Sequence, residues 1–268
     1  MHPVGEALRA RRRRLLRLRL GADRARSELE PLAALAAAAG VPVAWLSEAE
    51  VRRGLRSDVA DQGAVLEAEA LPTVPLAELL ASPAPARLLA LDGVEDPQNL
   101  GALLRVAEAA GVAGLVLTDR RAPPLGPAVS RASAGALEWV RVARVPNLVR
   151  ALRSCQEAGF WVVGLDHELG DDLYATADKM WRSPLVFVLG GEGQGLRRGV
   201  REVVDHPVRI PMRGRVSSLN VATAGAVALF EAVRRTGYAN ALSPHGGSPG
   251  EGPLHPGVPT GTPADSSC

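Results

Sequence analysis

Two cysteines, Cys155 and Cys268, are all that the 268 residues contain. So few exclude a disulfide framework and a cysteine-built zinc site, and they fit a reducing compartment such as the cytoplasm. Aromatic side chains make up only 3%, too few for the stacking platforms of non-specific single-strand binders. No run of eighteen apolar residues occurs, which excludes a membrane-spanning helix. Met1 leads straight into arginines with no apolar signal core, so secretion is not expected. The histidines at 2, 167, 206, 245 and 255 show no ligand spacing, and no metal is expected. A G-x-S-x-G nucleophile elbow is also missing.

What is present is an ordinary soluble composition, 47% apolar and 22% charged with a net charge of +2. Lysine occurs once, at Lys179, so almost all basic charge is arginine. Arg9, Arg11, Arg12, Arg13, Arg14, Arg17 and Arg19 crowd one short stretch. Together with the abundant alanine this run reads either as the codon bias of a GC-rich genome or as a phosphate-binding face.

Along the chain, residues 1–70 alternate helix and strand in a small αβα unit. Leu16, Leu18 and Leu20 have strand period, Ser27–Ala39 is a helix stopped by Gly40, and Ser47 caps a short helix. Four prolines between residues 71 and 86 mark a linker. Residues 87–238 then alternate strands and helices, the pattern of a mostly parallel sheet covered on both faces. In that stretch Pro127–Ala134 reads as a helix, Leu137–Val142 as a strand and Ser218–Arg235 as a long closing helix. Residues 239–268 are Gly, Pro and Ser with little apolar content, a disordered and dispensable tail.

Three loops can carry chemistry. The first, DGVEDPQNLGALLR at Asp92–Arg105, follows a buried strand, and ligands of open α/β sheets sit beyond strand carboxyl ends. Asn99 there reads as a helix cap, and Arg105 as either a surface charge or a phosphate-directed guanidinium. The second, LGGEGQGL at Leu189–Leu196, is neither a dinucleotide fingerprint nor a P-loop, since the required spacing and the Lys-Ser/Thr ending are absent. Its glycines permit tight turns or close approach of backbone to a ligand, and Glu192 inside it would repel a phosphate but could accept hydrogen bonds from a nucleoside or a cationic ligand. The third, IPMRGRVSSLNVA at Ile210–Ala222, places Ser217, Ser218 and Asn220 at a helix entry, more polar groups than a cap requires. Asp166, Asp171 and Asp172 read as a solvated loop.

In this order the three motifs resemble the signature of the SpoU (TrmH-like) branch of the SPOUT RNA methyltransferases, over Leu88 to about Tyr238. The first 70 residues resemble the L30e-like RNA-binding domain of ribosomal members, although Asp61-Gln62-Gly63 stands where that domain usually has His-Gln-Gly. The resemblance implies a parallel-sheet domain with a deep trefoil knot, dimeric through its long last helix and the helix of the first motif. It implies S-adenosylmethionine bound by Leu189, Gly190, Gly191, Ile210, Met212 and Leu219. Methyl transfer to a ribose 2'-hydroxyl of RNA, expected to be a guanosine of 23S rRNA, would involve Asn99, Arg105, Glu192, Ser218 and Asn220. A different rRNA site, as in antibiotic-resistance enzymes, a tRNA target and a non-catalytic RNA-binding protein are the competing readings.

Overall fold

The computed structural model describes residues 2–54, 62–83, 86–166, 169–191 and 195–237. The sequence expectations for Glu192, His167 and the tail fall outside these residues.

The N-terminal unit runs α1 (His2–Ala10), β1 (Leu15–Gly21), α2 (Arg26–Ala38), β2 (Val43–Leu46), α3 (Glu48–Val51) and β3 (Ala64–Ala68). Its three strands are ordered β2-β1-β3, with β1 parallel to β2 and antiparallel to β3. Alternation along β1 turns Leu18 and Leu20 inward against Leu8, Leu29, Leu32 and Ala36, a separate small core. Ser47 and Glu50 form a reciprocal capping box at α3.

Next comes α4 (Leu76–Leu80), inside the proline-flanked segment. Leu79 is fully buried, and Val74 donates its backbone N–H to the Val142 carbonyl at 2.9 Å, so this stretch is packed onto the larger unit.

That unit runs β4 (Arg87–Asp92), α5 (Pro97–Ala109), β5 (Gly114–Thr118), α6 (Pro127–Ala132), β6 (Val142–Val145), α7 (Leu148–Glu157), β7 (Trp161–Leu165), β8 (Asp171–Asp172), α8 (Asp178–Trp181), β9 (Leu185–Gly190), α9 (Arg198–Arg201), β10 (His206–Arg209) and α10 (Val221–Thr236). Its seven strands form one wholly parallel sheet, ordered β6-β5-β4-β9-β7-β10-β8. Unbroken apolar runs such as Leu185–Leu189 suit strands buried on both faces, and two hydrophobic clusters cover the sheet, one on each side. Helices α5 and α10 cross closely because Gly225 lacks a side chain; a Cβ there would stand 2.6 Å from Leu103. Gly101 does the same for α5 against α6, where a Cβ would stand 2.3 Å from that of Ala132.

Several sequence expectations are corrected. The expected strand at Leu137–Val142 begins instead at Val142; before it lies a 3-10 turn, Ala136–Glu138, entered through Gly135 at φ +92°. Leu137 is buried within that turn and Val140 is buried just after it, before the strand starts. Asp96, not Asn99, caps α5, accepting from the Gln98 N–H at 3.0 Å with Pro97 at the first helical position. The closing helix begins at Val221 with Asn220 as its cap, so the serines lie before it. Asp171 and Asp172 form the edge strand β8, and Asp166 is buried.

Most of the arginine run is engaged within the chain. Arg12 donates to the carbonyls of Glu138 and Val140 at 3.2 and 2.8 Å, and Arg13 pairs with the fully buried Glu138 carboxylate. Burial pushes the Glu138 carboxyl above its ordinary range, and Arg13 beside it opposes the shift. Trp139 adds a bond from its indole N–H to Glu6 at 2.8 Å, so the N-terminal unit docks on the turn before β6.

Candidate active site

In a parallel sheet every strand ends on the same edge, so loops distant in sequence meet there. Beyond the ends of β7, β9 and β10 lies a cavity of about 520 Å³, closed on its far side by the start of α10. Leu165, Leu189, Val208, Ile210 and Val221 give it apolar walls, while Gly190, Gly191, Gly195, Ser217, Ser218 and Asn220 supply backbone and polar groups. Eight of the eleven site residues expected from the sequence line this one space: Leu189, Gly190, Gly191, Ile210, Met212, Ser218, Leu219 and Asn220.

The ninth, Asn99, is tied to it. Its Oδ1 accepts from Asn220 Nδ2 at 2.9 Å, joining the first turn of α5 to the cap of α10. The Asn220 Oδ1 is already committed to the N–H groups of Ala222 and Thr223, at 2.9 and 3.4 Å. One side chain therefore caps the last helix and fixes it against the first motif. Arg105 is not among the lining residues. It lies exposed on α5, six residues or about 9 Å along the axis from Asn99, and has no hydrogen bond or ion pair among the described residues.

The glycines after β9 serve the packing of loop on loop. A Cβ on Gly190 would stand 2.1 Å from the Gly195 carbonyl carbon, and one on Gly191 would stand 2.1 Å from the Gly93 oxygen. Gly191 and Gly195 also form an isolated antiparallel bridge, and the Gly191 N–H donates to the Asp92 carbonyl at 2.9 Å.

Sequence reasoning missed two carboxylates that hold this loop. Asp92 ends β4 and Asp166 follows β7, the two strands that flank β9. Asp92 accepts from the Arg197 backbone N–H at 2.8 Å and from its Nε at 2.6 Å. Asp166 pairs with Arg201 at 2.8 Å and also lines the cavity. Both carboxylates are buried, so each depends on its arginine. The segment leaving the loop is thus pinned to the strand on either side of β9. The available signal was a pair of arginines four residues apart after the glycines, facing acidic residues at the ends of two apolar strands.

Such a site can enclose a medium-sized ligand with an apolar body, held by backbone groups. Among the described residues no group of three or more His, Cys, Asp or Glu is placed to hold a metal ion, and no helix is long and apolar enough to cross a membrane.

Comparison with known proteins adds independent findings. The model of the SpoU rRNA Methylase family matches residues 86–230, and that of the RNA 2'-O ribose methyltransferase substrate binding domain matches residues 1–74. The chain is 42% identical over 236 residues to the 23S rRNA (guanosine-2'-O-)-methyltransferase RlmB of Ralstonia nicotianae, covering 87% of this chain and 93% of that one. It is 38% identical over 239 residues to RlmB of Pseudomonas putida, covering 88% and 94%. Among solved structures, the SpoU methyltransferase AviRb of Streptomyces viridochromogenes in complex with the cofactor AdoMet superposes with a TM-score of 0.72 at 25% identity, covering 88% of each chain.

Proposed function

Because the chain belongs to the SpoU rRNA methylase family, we propose that it methylates the ribose 2'-hydroxyl of a guanosine in 23S rRNA, with S-adenosylmethionine as methyl donor. The observation that carries this reading is the convergence of the second and third motifs on one cavity, with the first motif tied to its rim through the Asn99–Asn220 hydrogen bond. Its volume of about 520 Å³ lies within the range of small-molecule sites, and its apolar walls and exposed glycine backbone suit an adenosine. Leu189, Gly190, Gly191, Ile210, Met212 and Leu219 would hold the cofactor, which supplies a sulfonium methyl group already activated toward attack.

The protein's task is alignment and the handling of one proton. A ribose hydroxyl is a poor nucleophile until its proton is taken up. Arg105 is not the base, since a guanidinium stays protonated in proteins. Its role is to grip an RNA phosphate and orient the ribose, leaving the proton to that phosphate or to Glu192. Ser218 lines the cavity beside the cofactor positions, where its hydroxyl can position the ribose. Asn99 and Asn220 keep the two helix starts in register around it. Holding the reactants in line is worth roughly 7–11 kcal/mol of the barrier.

Arg105 lies on the same helix layer as Phe230 of α10, an aromatic ring 40% exposed, which supports a homodimer in which Arg105 serves the partner's site. Residues 1–70 are the RNA-recognition unit of the proposal and 71–86 its connection to the methyltransferase domain. A trefoil knot formed by the last loops, and residence in the cytoplasm with the ribosomal RNA, belong to the same reading.

The test is direct. Purified protein, a 23S rRNA transcript and labelled S-adenosylmethionine should yield one alkali-resistant linkage, 3' to a guanosine. Label on a base, on tRNA alone or nowhere would overturn the assignment.

A further inference from the structure

The catalytic edge of the sheet carries charge that the motifs do not account for. The loop after β5, Asp119–Leu125, presents Arg120 and Arg121 side by side, both exposed and neither guanidinium engaged in a hydrogen bond or ion pair among the described residues. The loop itself is firmly built. Thr118 Oγ1 donates to the Arg120 carbonyl, and the Asp119 N–H donates to Val145 at 2.9 Å. Half-buried Arg144 donates to the carbonyls of Pro123 and Thr118, at 2.9 and 3.5 Å. Arg121 is held at φ +61°, a left-handed conformation that a long side chain rarely adopts. Across the neighbouring strand end, Arg150 in the first turn of α7 is likewise exposed and without a side-chain partner.

We propose that Arg120 and Arg121, with Arg150 beyond them, form a phosphate-contact track for the RNA strand that enters the cavity. The inference rests on the functional reading above. It follows from topology: β5 is two strands from β9 in the sheet, so its loop stands about 10 Å from the cavity floor on the same edge, and β6 is one strand further. The Asp119 carboxylate offsets only one of the three charges. Guanidinia that are paid for by no internal carboxylate are available to phosphate oxygens, which they grip as a fork. Contacts of this kind fix position on the RNA and do not read its sequence.

Binding of the native protein and of an Arg120→Ala/Arg121→Ala variant to a 23S rRNA transcript, measured across a salt series, tests this. The variant is expected to bind roughly ten- to fiftyfold more weakly near 0.1 M salt, with a salt slope shallower by about 1.4–1.8, the signature of two lost phosphate contacts. Calorimetric affinity for S-adenosylmethionine is expected to be unchanged. A single Arg121→Gly variant separates charge from scaffolding, because glycine accepts the left-handed backbone: thermal stability should hold or rise while RNA affinity falls, and Arg121→Lys should restore most of the affinity. Unchanged affinity and slope in the double variant would overturn this inference alone, as would an affinity loss that only tracks a loss of stability. Failure of the native protein to bind the RNA would overturn the functional reading with it.

Discussion

The two arginine-rich regions of this molecule behave in opposite ways. Between Arg9 and Arg19 the sequence is densest in positive charge, yet six of the seven guanidinia have partners inside the chain: Arg9 on Glu6, Arg11 on the Ala38 carbonyl, Arg12 and Arg13 at Glu138, Arg14 on Glu69, and Arg19 on Glu67 and two carbonyls of the α3 region. Only Arg17 has none among the described residues. Arg105 and the Arg120–Arg121 pair lie outside any such run, and their guanidinia stand exposed without partners among the described residues of the large unit. Charge density in a sequence measures supply. What a fold leaves unspent decides what can bind.

Three substitutions probe that contrast, beginning with the largest effect. Arg105→Ala should lower methyl transfer by orders of magnitude while affinity for S-adenosylmethionine stays within a few fold, and Arg105→Lys should recover only part of the rate, because a point charge does not fix orientation as a fork does. Steady-state kinetics beside calorimetry separates the two; simultaneous loss of cofactor binding and of thermal stability would make the residue structural. Glu138→Ala should destabilise the protein by about 3–5 kcal/mol, since it strips a buried partner from Arg13. Chemical denaturation measures it, and an effect below about 1 kcal/mol would mean the docked N-terminal unit does not rely on this pair. Arg14→Ala, at an exposed pair 3.7 Å apart, should change stability by less than about 1 kcal/mol. A clear loss of RNA affinity there would return the N-terminal run to the role of a phosphate face.

Much of the architecture was legible because its signals are local. Apolar runs mark β4 and β9, Gly111 at φ +66° closes α5, and Ser47 with Glu50 announces α3. The misreadings arose where a distant partner decides. Leu137 and Val140 have the apolar pattern of a strand, but Gly135 turns the chain at a point where a Cβ would meet Glu6 of α1 at 2.6 Å. Asn99 looked like a cap because its real partner, Asn220, is 121 residues away. Asp166 looked solvated because Arg201 buries it only once β7 and the segment after β9 are side by side. Cavity residues, by contrast, were found in clusters, since the second and third motifs each contribute a nearly contiguous stretch of wall. The glycine pair lines the cavity, but its geometric demand comes from Gly93 and Gly195 as neighbours.

The clamp of Asp92 by Arg197 spans 105 residues, and the Asn99–Asn220 tie spans 121. A ribosome adding about 5–20 residues per second takes roughly 6–24 s to make the longer of these stretches. Throughout that interval the first motif has been synthesised while the wall opposite it does not yet exist, and the Asp92 carboxylate must remain in water until its arginine arrives. The cofactor therefore cannot template the early fold. Bound in this cavity as proposed, it could stabilise only a chain that has been made at least as far as Ala224, which would place binding among the last events in the birth of the molecule.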